Sequence, residues 1–369
     1  MDFEYLFATV SFSASLFSAL FCFVLIALKL ALNPLDFFIK RLSLVLLCFY
    51  LVSITFYITI FLYVFNLPLF WWFKALNFQS VLLIPVLFYH IVFKLTRLKK
   101  EERFKYTHYI VCLLVGGFYF VYAEFLMDQT ALSFPKEELK NSLFFNDGRI
   151  LARIVFNSVY LLLAFQRLLQ YRKHIIHYSS DESQDSLKWL YHIFIIALLL
   201  FPGPILFYSL PDMKNSLLYG QLIPNFLFMF FNISLCYNIF SQNFTLVYED
   251  ITEDDKEIDS KKNKETPIDK TTFEAFIQTK KPYLDPQLKI TDLMRDLLTN
   301  RTYLSSFINT TYSMNFSQFI NQCRYNEYIE LRKSNTDNDL TEEDLILASG
   351  FRSYDSFKRT QQNHNKKNE

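Results

Sequence analysis

The chain is 369 residues long and carries 37 Lys and Arg against 36 Asp and Glu, so no strong charge excess announces a polyanionic or polycationic partner. Hydrophobic residues make up 52% and aromatics 18%, with 42 Phe against 6 Gly, more apolar surface than a soluble core can hide. The five cysteines (Cys22, Cys48, Cys112, Cys236, Cys323) are scattered, and no spacing suggests a disulfide framework or a zinc site.

The composition divides sharply. Up to about Phe240 the chain is apolar with sparse charges, and from Tyr248 it is polar and charge-dense. Crossing the hydrocarbon core takes roughly 20 apolar residues in a helix. Runs of that kind lie near 5–28, 42–65, 68–93, 106–127, 149–171, 189–210 and 217–240, which predicts a transmembrane sensor domain of about seven helices over 1–240. Pro85, Pro202, Pro204 and Pro224 fall inside these runs, where neighbouring helices can satisfy the backbone groups they free. Trp71 and Trp72 fit an interfacial belt at the start of the third. Asp2 and Glu4 replace the basic start of a cleavable leader, so the first run reads as a retained span.

Basic residues in the short loops set the expected orientation. Lys29, Lys40 and Arg41 follow the first run. Lys94, Arg97, Lys99, Lys100, Arg103 and Lys105 follow the third, and Arg167, Arg172, Lys173 and Lys188 flank the end of the fifth. The other side offers Lys136, Lys140, Arg149 and Lys214. The bias predicts a multi-pass protein of the bacterial cytoplasmic (inner) membrane, with its N-terminus outside and its C-terminal part in the cytoplasm.

Ionisable groups inside spans are candidates for function because desolvating them is costly. Lys74, Glu124 and Arg153 lie at similar depth near the outer ends of the third, fourth and fifth runs. They read either as an interfacial charge cluster that fixes packing or as part of a signal-sensing pocket open to the outside. Gln79, Asn157, Asn225 and Asn232 either line the same cavity or glue helices together. His174 and His177, followed by Asp181 and Glu182, sit in a basic membrane-edge loop and are not read as a metal site. No HExxH, Gly-Xaa-Ser-Xaa-Gly or phosphate-binding glycine loop is present, so neither catalysis nor a cofactor is expected.

Residues 241–270 read as a charged linker, acidic first and basic after. Helical periodicity then returns. Phe273, Phe276 and Ile277 mark one amphipathic helix, ended by Pro282 and Pro286. Ile290, Leu293, Met294 and Leu297 mark a second; a polar break with Asn300 as N-cap leads to a third carrying Tyr303, Leu304, Phe307 and Ile308. Two short helices across a tight turn outline a helix-turn-helix, whose second helix would present Arg301, Thr302, Ser305 and Ser306 outward. A longer helix from Phe316 to about Lys333 follows. The outline then repeats, with Thr341 and Asp344 at a capping-box spacing, a turn at Gly350 and a last helix begun by Ser353.

The stretches TYLSSFIN, NFSQFINQCR and GFRSYDSF, in that order and spacing over about 271–360, resemble the DNA-binding domain of AraC-type transcription regulators, and the preceding seven-span region resembles membrane-bound bacterial members of that family. The resemblance implies an AraC-type DNA-binding domain over 271–362, followed by a polar tail at 363–369. It implies base-facing roles for Thr302, Ser305 and Ser306, a phosphate contact at Arg301, a structural role for Arg324, and a second DNA-contacting helix bearing Arg352, Tyr354, Asp355, Lys358 and Arg359. Met294, Leu298, Tyr328 and Ile346 stand where that family keeps small residues, and Gln361 stands where it keeps an apolar one.

The fold class expected is therefore all-α: a seven-helix transmembrane bundle followed by a soluble double helix-turn-helix domain. The function expected is that of a membrane-tethered transcription regulator with promoter DNA, the lipid bilayer, a second copy of itself and an external or membrane ligand as partners. Over 266–369 there are 14 Lys and Arg against 14 Asp and Glu, and this neutrality motivates the alternative of a sensor whose domain binds a protein instead of DNA. A transporter or receptor with the domain as an appendage is the third reading.

Overall fold

Backbone N–H and C=O groups have no water to bond in an apolar environment, so long apolar runs satisfy them internally as helix. The computed structural model describes residues 3–32, 37–98, 102–121, 143–180, 187–200, 222–241, 269–299, 301–335 and 340–368. Among them it is all-α, with thirteen α-helices. In the first part these are α1 (Phe3–Leu32), α2 (Phe37–Phe65), α3 (Leu67–Leu95), α4 (Thr107–Val121), α5 (Leu143–Ile175), α6 (Lys188–Leu200) and α7 (Ile223–Phe240). In the second part follow α8 (Lys270–Lys280), α9 (Ile290–Asp296), α10 (Arg301–Tyr312), α11 (Phe316–Ser334), α12 (Glu342–Ala348) and α13 (Tyr354–Asn368).

Each of the seven expected apolar runs overlaps a described helix. Five of them, in α1, α2, α3, α5 and α7, are long and apolar enough to cross a membrane. α4 and α6 are apolar but have 15 and 13 described residues, and the rest of the expected runs, 122–127 and 201–210, lies outside the described residues. α5 continues past the expected end at 171 to Ile175, with Arg172, Lys173 and His174 in its last turn, where cations complement the helix dipole.

In the first unit (Met1–Thr96, Arg103–Leu168 and Trp189–Asn243) apolar side chains fill the interior and also cover the outside, and buried polar groups gather at particular seams between helices. Phe17, Phe21, Val24 and Leu28 form an exposed stripe on α1, and Leu44, Leu51 and Ile58 form one on α2. The buried face of α1 carries Ser11, Ser15, Ser18 and Cys22 at heptad spacing and meets Asn225 and Asn232 of α7. Asn225 Nδ2 donates to Ser11 Oγ at 3.1 Å, Asn232 Nδ2 donates to Ser18 Oγ at 3.2 Å, and Ser15 Oγ donates to the Asn225 carbonyl at 2.6 Å. Tyr50 of α2 donates to the Asn232 carbonyl at 2.9 Å, and Lys29 reaches the Phe240 carbonyl at the end of α7. Sequence separation across this seam stays between 210 and 214 as both numbers rise, so α1 and α7 run parallel.

α3 is the most enclosed of the five long apolar helices. Its Phe88 meets Phe194 of α6 at 5.5 Å and Phe231 of α7 at 5.4 Å, Tyr89 meets Tyr160 of α5 at 5.8 Å, and Phe78 meets Tyr119 of α4 at 4.6 Å. Gln79 donates to Cys112 of α4 at 3.4 Å, and a Cβ at Gly116 would stand 1.5 Å from the Gln79 amide oxygen, so the glycine makes room for the glutamine.

The second unit comprises Arg97–Glu102, Leu169–Lys188 and Phe244–Glu369. Phe273 of α8 is fully buried against Phe307, Phe319 and Tyr312, with Ile290, Leu293, Leu304, Ile308 and Ile320 buried in the same half of the unit. Tyr325 and Tyr328 of α11, Leu345 and Ile346 of α12, Phe351 and Phe357 make the other cluster. α11 contributes to both. Asn315 and Gln318 form a reciprocal cap at its start, and Thr341 and Asp344 form the expected one at the start of α12. α13 runs through Asn368, taking in the expected polar tail, and His364 packs on the Tyr325 ring at 4.9 Å.

The turns after α9 and α12 are built alike. Thr299 N–H bonds to the Met294 carbonyl and Leu298 N–H to Arg295; Phe351 N–H bonds to Ile346 and Gly350 N–H to Leu347. Each is a Schellman turn with one residue at positive φ, Leu298 at +51° and Gly350 at +91°. Replacing Gly350 by alanine would place a Cβ 2.4 Å from the Tyr283 carbonyl oxygen and 2.8 Å from Leu284 Cα. Strain and clash together should lower the stability of this unit by at least ~2 kcal/mol. Denaturant unfolding of the solubilised protein checks this, and an unchanged midpoint would show that the approach to Tyr283 is not tight.

Candidate functional site

Ile290 and Glu342, which open α9 and α12, are 52 residues apart, as are Leu298 and Gly350 in their turns. The helical unit is therefore an internal repeat of two helix pairs, α9–α10 and α12–α13, joined by α11. The second helix of each pair carries the sequence-predicted residues, and both α10 and α13 pack against α11.

On α10, Leu304 and Ile308 point into the core, Ser305 is half-buried and Ser306 exposed. Arg301 and Thr302 occupy the first turn of the helix; their side chains, and the expected cap Asn300, lie outside the described residues. On α13, Ser356 and Phe357 are buried, whereas Tyr354, Asp355, Lys358 and Arg359 are exposed, with Arg352 exposed in the turn before them. Ser353 opens α13, its hydroxyl accepting from Ser356 N–H and its carbonyl from Phe357 N–H. Each second helix thus anchors one apolar face and offers hydroxyls, amides or cations on the other, groups able to meet base edges and phosphates.

Arg324 of α11 is 1% exposed and spends its N–H donors on the chain around it. Nε donates to the Tyr283 carbonyl at 2.8 Å, Nη2 to the Asp285 carbonyl at 2.7 Å and to Ser180 Oγ at 3.0 Å, and Nη1 to Asn321 Oδ1 at 3.1 Å. It is a fastener, out of reach of an external ligand. The sequence reading missed its partner segment: residues 176–180 belong to the same unit and pair with the chain before α9. Ordinary loop composition there gave no signal.

A cleft of about 490 Å³ opens beside α11, lined by Glu274, Lys281, Tyr283, Tyr312, Glu327 and Glu330 among others. The carboxylates of Glu327 and Glu274 are engaged. Lys281 Nζ lies 2.7 Å from Glu327, Tyr283 donates to Glu327 at 2.9 Å, and Tyr312 donates to Glu274 at 3.2 Å.

Lys74 is half-buried on α3 with its ammonium 5.2 Å from the Trp71 ring, Arg153 is half-buried on α5, and Glu124 lies outside the described residues. Asn225, Asn232 and Gln79 serve as contacts between helices, and Asn157 is buried on α5. No family model matches the chain, and no curated protein or solved structure matches it.

Two expectations test this geometry. Leu298 holds the turn position that glycine fills in the second pair, and a non-glycine residue there costs about 1–2 kcal/mol, partly offset by the lower chain entropy of leucine when unfolded. Leu298→Gly should therefore stabilise the unit by about 0.5–1 kcal/mol in chemical unfolding, and destabilisation would mean that the side chain holds the turn. Burial, then the Glu274 carboxylate, pushes the Tyr312 phenol up to about 12. A raised phenol contributes stability fully present below its unfolded value near about 10, lost as pH rises through the folded one. A difference titration against Tyr312→Phe should show one phenol ionising late, and ionisation near the ordinary value would contradict the packing.

Proposed function

We propose that the protein is a membrane-tethered, sequence-specific DNA-binding transcription regulator. It couples a signal received by a seven-helix transmembrane bundle to gene expression. The observation that carries the reading is the repeat of two helix pairs on a shared α11, each with an anchored apolar face and an outward polar face. In this reading α9–α10 and α12–α13 are two helix-turn-helix units, and α10 and α13 enter successive major grooves. Arg301, Thr302, Ser305 and Ser306 read or position DNA from the first, and Arg352, Tyr354, Lys358 and Arg359 from the second. The resemblance of this stretch to AraC-type domains points the same way and implies a homodimer.

The parallel α1 and α7 support an odd number of crossings, because helices that traverse a bilayer in the same direction are separated by an even number of steps. With the basic loops on the inner side, the start of α1 is outside and the helical unit is in the cytoplasm. The signal enters by the bundle, with Lys74, Glu124 and Arg153 as its polar outer groups.

A second reading draws on the neutral charge of residues 266–369: the same outward faces dock a protein partner instead of DNA. One experiment separates the two. Chromatin immunoprecipitation of the full-length tagged protein should give discrete peaks. Ser305→Ala should weaken binding to the preferred sequence by about tenfold, and Lys358→Ala with Arg359→Ala should weaken all sequences and flatten the salt dependence by about two ion equivalents. Absence of peaks with normal membrane levels would reject DNA binding and leave the protein-partner reading.

A further inference from the structure

The last turns of α5 and the turn that follows belong to the helical unit, although more than a hundred residues separate them from α9. Residues 178–180 lie antiparallel to residues 288–290, bridged at Ser179 and Lys289. Ser180 N–H donates to the Leu288 carbonyl at 3.1 Å, and Ile290 N–H donates to the Tyr178 carbonyl at 3.0 Å. The second bond satisfies one of the amides that every helix leaves open at its start, so the beginning of α9 is finished by another part of the chain. α11 is held as well. Ser317 N–H donates to the Ile176 carbonyl at 3.4 Å, Ser317 Oγ to the Ser180 carbonyl at 3.2 Å, and Arg324 to Ser180 Oγ at 3.0 Å. Tyr171, Ile175, Tyr178 and Ser180 are fully buried and Ser179 nearly so, which marks this as an interior joint and not a passing surface contact.

We infer that residues 176–180 are a joint that completes the helical unit and ties the last turns of α5 to α9 and α11, so that these elements open and close as one cooperative element. α5 also supplies residues to the apolar bundle, through Tyr160, Leu161, Ala164 and Leu168, all buried. A displacement of α5 along or about its axis therefore acts on the start of α9 and on Arg324 by covalent continuity and backbone hydrogen bonds. The linker at 241–270 is a second covalent path; the joint is the hydrogen-bonded one. The inference supplies a route for the regulation proposed above, and its readout does not depend on DNA.

Hydrogen exchange of the full-length protein in lipid nanodiscs tests it. Ser180→Pro removes the Ser180 N–H and the hydroxyl that Arg324 holds. Exchange at 290–296 and at 169–175 should accelerate together, on the order of tenfold or more, while 345–351 keeps its protection. Acceleration in one segment without the other, or in neither, overturns the joint. Two further variants guard against general misfolding. Ser180→Ala keeps the backbone pair and should loosen both segments to a smaller, equal degree. Ser179→Cys with Lys289→Cys places thiols at a non-hydrogen-bonded antiparallel pair, whose Cα atoms lie about 4.5 Å apart and within disulfide range. That pair should close under mild oxidation in membranes and slow exchange in both segments. Failure to close, with each single-cysteine variant folded, also overturns the joint.

Discussion

A guanidinium carries five N–H donors and no acceptor, and it stays charged when buried, so a protein that encloses one must surround it with oxygens. Arg324 organises the helical unit in this way. Its donors reach the backbone at Tyr283 and Asp285, the side chain of Asn321 on its own helix, and Ser180 from the turn after α5. Three separate stretches of chain are thereby fixed to one side chain. Gly350 meets the same segment, resting against the Tyr283 carbonyl and Leu284. The short segment 282–285 is thus held by Arg324 and by the turn of the second helix pair.

The apolar bundle solves the opposite problem. Its outward surface is Phe, Leu, Ile and Val, so burial of apolar area in water cannot order the helices when lipid surrounds them. Apolar residues fill both faces, and the contacts that single out particular helix pairs come from polar groups, small residues and interlocking rings. Serines on α1 meet asparagines on α7, Gln79 fills the space left by Gly116, and the aromatic rings of α3 interlock with four neighbouring helices. Asn232 shows the economy of the seam: its side chain reaches α1 while its carbonyl receives Tyr50 of α2.

Local features were legible in the sequence. Apolar runs gave the helices of the first part because their length and composition are sufficient causes. Thr341 and Ser353 lie at helix starts, and Phe273, Ile277, Leu293, Leu304 and Ile308 fall inward at their helical spacing. Leu298 was legible as an anomaly, and its positive φ gives the physical reason. Of the candidate DNA-contacting residues, periodicity placed Ser305 and Ser306 outward, and Ser306 is exposed while Ser305 is half-buried; Lys358 and Arg359, implied by the resemblance, are exposed, but exposure alone assigns no ligand. What stayed hidden was non-local. Ser179 and Ser180 are unremarkable in a basic loop, and their burial follows from backbone groups of residues 288–290 that no side-chain pattern announces. The same holds for Asn225 and Asn232, which suit a cavity or a seam equally until Ser11 and Ser18 are known to face them.

The pairing of 178–180 with 288–290 also bears on how this architecture can be taken apart and recombined. Residues 269–368 look in sequence like a portable module, ready to be cut out after the charged linker and attached to another anchor. In three dimensions that fragment would leave behind the serine hydroxyl that Arg324 grips and the carbonyl that finishes α9. A chimaera that respects the fold must transplant the end of α5 along with the helices, or supply a surrogate strand, so the modular boundary of this protein is discontinuous in sequence.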